Sequence, residues 1–188
     1  MPPVAGPPAD FFLRCRQHGV APTQFVFAAS VATQSASLFE QTKNDGAAEK
    51  PPRYELCRTF VISTSRFGIG QVANSNCTPL GLHRIAQKIG GGQPVGTVFK
   101  SREPIGFTWD GMSDAKIAHR ILWLEGLEPG FNRGGDVDTF DRYVYIHGVG
   151  DESTLGKPAS CGCIHLAAAD LIPFYDQVSE GTLVWIEK

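Results

Sequence analysis

At 188 residues, 42% of them hydrophobic and with a formal net charge of −2, the chain suits one well-filled domain and is too short for two full-sized ones. That charge gives no general attraction to nucleic acid or anionic lipid, and no apolar run approaches the roughly 18 residues of a membrane-spanning helix. The 21 glycines and 13 prolines favour many turns. The five cysteines, Cys15, Cys57, Cys77, Cys161 and Cys163, are an odd number, so at least one thiol is free. A Cys57–Cys77 bridge is allowed but not required. Residues 1–8 are Pro-rich and lack the basic and apolar regions of a secretory leader. The chain therefore either works inside the cell or has had a leader trimmed.

In chain order, Asp10 is expected to cap a short helix through Phe11, Phe12, Leu13 and Cys15 that ends near Gly19. Residues 1–23 thus read as an N-terminal extension to a main domain over 24–188. Strand patterns follow at Phe25-Val26-Phe27, at 31–39 and at 54–63, rich in β-branched and aromatic residues. The polar run 41–52, with Asn44-Asp45-Gly46, reads as a long hairpin loop. A strand over 82–89 ends at Gly90-Gly91-Gly92. Those glycines lack the GxxxxGK[ST] context of a phosphate cradle and read as a loop tip.

Residues 93–119 read as loop apart from Thr97-Val98-Phe99. Residues 120–127 form a strand buried on both faces, and 128–138 form a long Gly-rich loop. The strand 142–147 places Tyr143, Tyr145 and His147 on one face and Val144 and Ile146 on the other. A helix is predicted over 167–178 with Pro173 in its first turn, and a last strand over 183–186. The sum is a mainly β single domain, sandwich or barrel, with one late helix.

The chemistry concentrates in Tyr145-Ile146-His147-Gly148 and Ser160-Cys161-Gly162-Cys163-Ile164-His165-Leu166. A thiol becomes a nucleophile when a base takes its proton, and His147 ends a strand shortly before Cys163. The Gly148 carbonyl can hold the imidazole in one tautomer. Gly162 lets the chain bend so that backbone N–H groups point at a developing oxyanion. If Cys163 opened the following helix, the helix N-terminus would lower its pKa further. Two other readings stay open. One is an inert buried cysteine with a satisfied core histidine. The other is a zinc set of Cys161, Cys163 and His165 at i, i+2, i+4, with His147 as fourth ligand.

These residues resemble the L,D-transpeptidase catalytic domain (the YkuD family). The carrying motif is a strand ending in His147-Gly148, a loop, and Ser160-Cys161-Gly162-Cys163 before Ile164. Flanking matches are Ser63-Thr64-Ser65 with Gly68-Ile69-Gly70, Thr78-Pro79-Leu80-Gly81, Leu155-Gly156 and Gly181-Thr182-Leu183-Val184-Trp185-Ile186. The resemblance spans residues 24–188. It implies a mainly β fold with a short helix after the cysteine, no cofactor, and peptidoglycan stem peptides as partner. It implies Cys163 as nucleophile, His147 as base and Gly148 as its orienter, with Cys161, Gly162 and Ser160 shaping the oxyanion site.

Substrate contacts are assigned to His165, Tyr145 and, in the Gly-rich loop, Arg133. The expected address is the periplasm or cell envelope. The sequence departs from the family pattern twice. Cys161 stands where the family carries histidine, and His165 stands where it usually carries arginine. A silent relative that binds stem peptides and an L,D-carboxypeptidase are the alternatives to a transpeptidase.

Overall fold

The computed structural model describes residues 6–42 and 52–188. In order these are α1 (Ala9–Gln17), β1 (Phe25–Ser30), β2 (Ser35–Gln41), β3 (Tyr54–Ser63), β4 (Gly81–Ile89), β5 (Thr97–Lys100) and β6 (Glu103–Phe107). Then follow β7 (Ala118–Gly126), β8 (Tyr145–Gly148), β9 (Ile164–Leu166), α2 (Ala168–Gln177) and β10 (Leu183–Glu187). The Asn44-Asp45-Gly46 turn lies outside the described residues.

One sheet takes all ten strands in the order β4-β10-β1-β2-β3-β9-β8-β7-β5-β6, and β4 also pairs with β7. That extra pairing closes eight strands into a ring, leaving the β5–β6 hairpin on its rim. Closure removes the free edges that an open sheet would present. Most neighbours are antiparallel, but β1 pairs parallel with β10 and β8 pairs parallel with β9. The mainly β, barrel-like fold with a helix after Cys163 is what the sequence predicts.

Alternation along the strands sorts side chains to the two faces. Phe27, Phe60, Ile62, Leu122, Leu124, Ile146, Ile164 and Val184 meet Leu171, Phe174 and Tyr175 of α2 in the largest core cluster. Phe27 and Phe174 stack there at 4.9 Å between ring centres. On the opposite face, Val26, Phe39, Leu82, Leu183 and Trp185 receive Phe11 and Cys15 of α1. A third cluster, also outward, joins Phe99, Ile121, Trp123 and Tyr145, with Cys163 packed against it. That third cluster is the floor of the site.

Several local expectations give way. Asp10 lies inside the first turn of α1, and Pro8 holds the cap position without a side-chain bond. Residues 31–34 are a turn rather than strand. Gln34, at φ +49°, donates to the Val31 carbonyl and Thr64 Oγ1 and accepts from the Thr64 N–H, which closes the turn and ties it to the end of β3. Strand β6 lies in the region read as loop; Pro104 and Gly106 mask it, and both are tolerated because β6 is the outer strand of the hairpin. Strand β8 begins at Tyr145, not 142, because Tyr143 takes the left-handed φ of +56°. Pro173 sits in the middle of α2 rather than in its first turn. Cys57 and Cys77 are unbridged, as are the other three cysteines.

Candidate active site

The parallel pairing of β8 with β9 builds the site. Its register sets Ile146 beside Ile164 and His147 beside His165. Ile146 and Ile164 point into the core, so the pleat turns His147, His165 and Cys163 to the opposite, outer face. Cys163 stands one residue before β9, next to the start of β8. The two segments that carry the motif are therefore hydrogen-bonded neighbours, and their reactive groups share a face.

His147 is 2% exposed, and its Nδ1–H donates to the Gly148 carbonyl at 2.8 Å. A carbonyl can only accept, which fixes the proton on Nδ1 and leaves Nε2 with its lone pair. Burial pushes the imidazole down to about 4 against the opposing pull of that carbonyl, so it is neutral at pH 7. Gly148 admits no side chain: a Cβ there would stand 2.5 Å from His119 Cδ2 and 2.8 Å from the Ala118 carbonyl. The His-Gly pair is thus a steric requirement of β7 and β8 as well as an electrostatic one.

The Cys163 thiol donates to the Tyr143 carbonyl at 3.6 Å and receives the Tyr145 N–H at 3.4 Å. Burial pushes it up to about 11, partly offset by that N–H; nearby Cys161 adds to the rise and the Arg142 charge opposes it. The helix-terminus effect expected from the sequence does not operate, since β9 separates Cys163 from α2. The resting pair is thiol and neutral imidazole, so any proton transfer between them accompanies bond formation.

The bend at 160–163 is tied by Ser160, whose Oγ accepts from the Gly162 N–H at 3.2 Å and donates to the Cys163 carbonyl at 2.6 Å. Gly162 takes φ +117°, and a Cβ there would meet the Cys77 carbonyl at 3.2 Å. Both the backbone angle and the close approach call for glycine. His165, kept neutral with its pKa lowered to about 3 by burial and by nearby His147 and Lys116, has a buried Nδ1 with no hydrogen-bond partner. Its ring lies 4.7 Å from that of His147.

Two cavities flank Cys161 and Cys163. One, of about 280 Å³, is lined by His147, His165, Arg66 and Lys116. The other, of about 240 Å³, is lined by Asn74, Asn76, Asp141, Arg142 and Tyr143. Tyr145 and Arg133 line neither. The Tyr145 ring is packed against Trp123 and its hydroxyl accepts from Arg102 at 3.3 Å, so its link to the thiol is its backbone N–H. Arg133 lies exposed in the 128–138 loop. The zinc reading is not realised: among the described residues no group of three or more His, Cys, Asp or Glu side chains is placed to hold an ion.

The arginine at the wall of the second cavity is Arg142, which the sequence reading took only as the first residue of a strand. Its Nη1 donates to the Gly70 and Gln71 carbonyls at 3.2 and 2.7 Å, and its Nη2 to the Cys77 carbonyl at 2.7 Å. It thereby fixes the 68–78 loop against the strand that carries His147. Replacing Arg142 by alanine is expected to lower stability by about 2–4 kcal/mol, because charge-assisted bonds to three carbonyls are lost together. Lysine should not restore it, since one ammonium cannot reproduce the fork. Thermal melts check this; an unchanged midpoint in Arg142→Ala would show that the loop holds itself.

The model of the L,D-transpeptidase catalytic domain matches residues 36–186. A search of curated proteins finds no significant match. Among solved structures, an L,D-transpeptidase from Mycobacterium smegmatis is 19% identical, with 88% of this chain and 59% of that chain covered and a TM-score of 0.49. L,D-transpeptidase 3 from Mycobacterium tuberculosis, solved with a faropenem-derived adduct, is 15% identical over 88% of this chain and 60% of that chain, with a TM-score of 0.47. Bd1075 of Bdellovibrio bacteriovorus is 11% identical over 87% of this chain and 48% of that one, with a TM-score of 0.53, a likeness of fold. The chain thus spans about half to three fifths of the length of these structures. With the family model matched across most of its length, on a closed β fold with a late helix, this chain belongs to the L,D-transpeptidase catalytic domain family.

Proposed function

We propose that the protein is a cysteine-dependent L,D-transpeptidase acting on peptidoglycan stem peptides. The observation that carries this reading is the shared outer face of β8 and β9, with Cys163 and a neutral His147, its Nδ1 proton held by Gly148, lining one cavity. In the proposed reaction Cys163 Sγ attacks the carbonyl between the third residue of a tetrapeptide stem, a diamino acid, and its terminal D-alanine. His147 Nε2 takes the thiol proton as the S–C bond forms. The oxyanion is met by the backbone N–H groups of Cys161 and Cys163, since that of Gly162 is turned to Ser160.

The C–N bond then breaks, D-alanine leaves with the proton from His147, and a thioester remains. An acceptor amine attacks the thioester and loses a proton to His147 as the C–N bond forms; the C–S bond breaks and Cys163 takes that proton to return as thiol. Water in place of the amine gives L,D-carboxypeptidase action. His165 and Arg66 supply polar contacts to the donor in the cavity they line; Tyr145 serves through its N–H rather than its phenol. Arg133, at the exposed loop, is assigned a contact with an outlying carboxylate of the peptidoglycan strand.

Cys161, in the place of the family's histidine, needs only its backbone for this role. The family acts on peptidoglycan peptides and its members typically work at the cell envelope, which is the address proposed here. Among the described residues no helix is long and apolar enough to cross a membrane.

The test is incubation with a synthetic tetrapeptide stem, with and without an amine acceptor, followed by mass spectrometry of the products. Release of D-alanine with a cross-linked product supports the transpeptidase. Release without cross-link selects the carboxypeptidase. Bound peptide with no D-alanine released, in wild type and Cys163→Ala alike, would leave the silent binding relative as the correct reading.

A further inference from the structure

The family chemistry needs one thiol, and this site carries two. Cys161 is exposed and Cys163 is partly exposed, and both line both cavities, so the two residues border the same space. The chain bends through 161–163, with Gly162 at φ +117° and the Ser160 hydroxyl drawing the ends of the bend together. A disulfide spans a Cα separation of roughly 4.4–6.8 Å, a range open to residues two apart in a bent chain. Arg66 Nη2 donates to Cys161 Sγ at 3.8 Å, setting a positive charge against the more accessible sulfur. The third thiol in the region, Cys77, is instead turned to the Phe67 and Ser75 carbonyls at 3.3 and 3.5 Å.

We propose that Cys161 and Cys163 form a redox pair in which a hydroperoxide closes an intrachain disulfide over the nucleophile and a dithiol reopens it. Cys161 Sγ, beside Arg66, attacks the peroxide oxygen, and the thiol proton passes to the departing oxygen. An S–O bond forms, the O–O bond breaks, and the departing oxygen leaves as water or alcohol. The Cys163 sulfur then attacks the sulfenic sulfur of Cys161, and the hydroxide expelled takes the Cys163 proton as water. Two electrons pass from the thiols to the peroxide. Reduction begins at the exposed Cys161 sulfur, where a dithiol attacks and Cys163 leaves as thiolate and is reprotonated. Its second thiol then releases Cys161. A ring closed over a single intervening residue is strained, which favours ready reduction.

A disulfide removes the nucleophile, so the pair also gates acyl transfer. That gating rests on the function proposed above, whereas the disulfide does not.

The experiment uses the full chain, reduced and freed of reductant, then treated with hydrogen peroxide, blocked with maleimide and digested. The expected result is a loss of about 2 Da in the peptide carrying both residues, with neither blocked. Dithiothreitol should restore the mass and the reactivity. Cys161→Ser should abolish the 2 Da loss and leave Cys163 as an unoxidised thiol. No disulfide in the wild type would overturn the proposal. A disulfide that survives Cys161→Ser and disappears in Cys77→Ser would overturn it as well, assigning the pair to Cys77 and Cys163. In parallel, β-lactam labelling of oxidised wild type should be lost and return on reduction. If even reduced wild type takes no label, the acyl-transfer reading fails while the disulfide result stands.

Discussion

Replacing His147 by alanine is expected to slow acylation of Cys163 by about 10²–10⁴-fold at pH 7 and to change the shape of its pH dependence. On the proposed mechanism, the reactive protonation state of the wild type is thiol plus neutral imidazole. With His147 held down to about 4 and Cys163 up at about 11, that state dominates between those limits. The wild-type rate should therefore be flat from about pH 5 to about pH 9, without an inflection near the ordinary histidine value. Without the base only the thiolate reacts, and a thiol with pKa about 11 is ionised to roughly one part in 10⁴ at pH 7. The variant's rate should then climb about tenfold per pH unit through neutrality. Single-turnover acylation at a series of pH values measures both profiles. A wild-type inflection near pH 6.5 would mean that His147 titrates as if solvated.

The same burial makes the fold acid-labile. His83 and His147 are 0% and 2% exposed, and burial lowers both to about 4 from 6.5. Each is neutral in the folded state and takes up a proton on unfolding across that interval. The unfolded state thus binds more protons, so stability rises with pH. The full contribution is present above pH 6.5 and is lost as pH falls towards 4. Each histidine is worth about 3 kcal/mol over the interval, so the pair carries a loss comparable to the whole stability of many domains.

Denaturant midpoints from pH 8 to 4 should be level down to about 6.5 and then fall steeply. His83 donates from Nδ1 to the Gly81 carbonyl and accepts at Nε2 from Thr139, so His83→Gln should lower the plateau but take about one proton out of the slope. A profile level to pH 4.5 would show that these histidines are protonated without cost.

The sequence carried the long strands plainly. Residues 54–63, 82–89 and 120–127 are strands within a residue or two of their expected ends, because runs such as Ile121-Leu122-Trp123-Leu124 have no other stable home than a buried sheet. Strand β6 was hidden because Pro104 and Gly106 are turn signals anywhere except an outer strand. Ring closure through β4 and β7 joins segments far apart in sequence, and no local pattern records it.

At the site, a hairpin-like return was expected to bring the two motif halves together; they meet instead through the parallel pairing of β8 with β9, and the state of the groups was not legible either. Charge stabilisation of Cys163 was expected from a helix N-terminus, but β9 intervenes and burial dominates instead. Arg133 drew attention as an arginine among glycines, while Arg142 carries the wall through its bonds to the Gly70, Gln71 and Cys77 carbonyls. Only the folded backbone distinguishes those two arginines.

The most direct measurement is intact-mass analysis after incubation of the reduced protein with a carbapenem, an acylating β-lactam of the class to which this family is generally susceptible. Wild type, Cys161→Ala and Cys163→Ala are compared. A single adduct, present in wild type and Cys161→Ala and absent in Cys163→Ala, is the predicted result and identifies the activated thiol. An adduct that follows Cys161 instead, or none in any form, would contradict Cys163 as the nucleophile of this site.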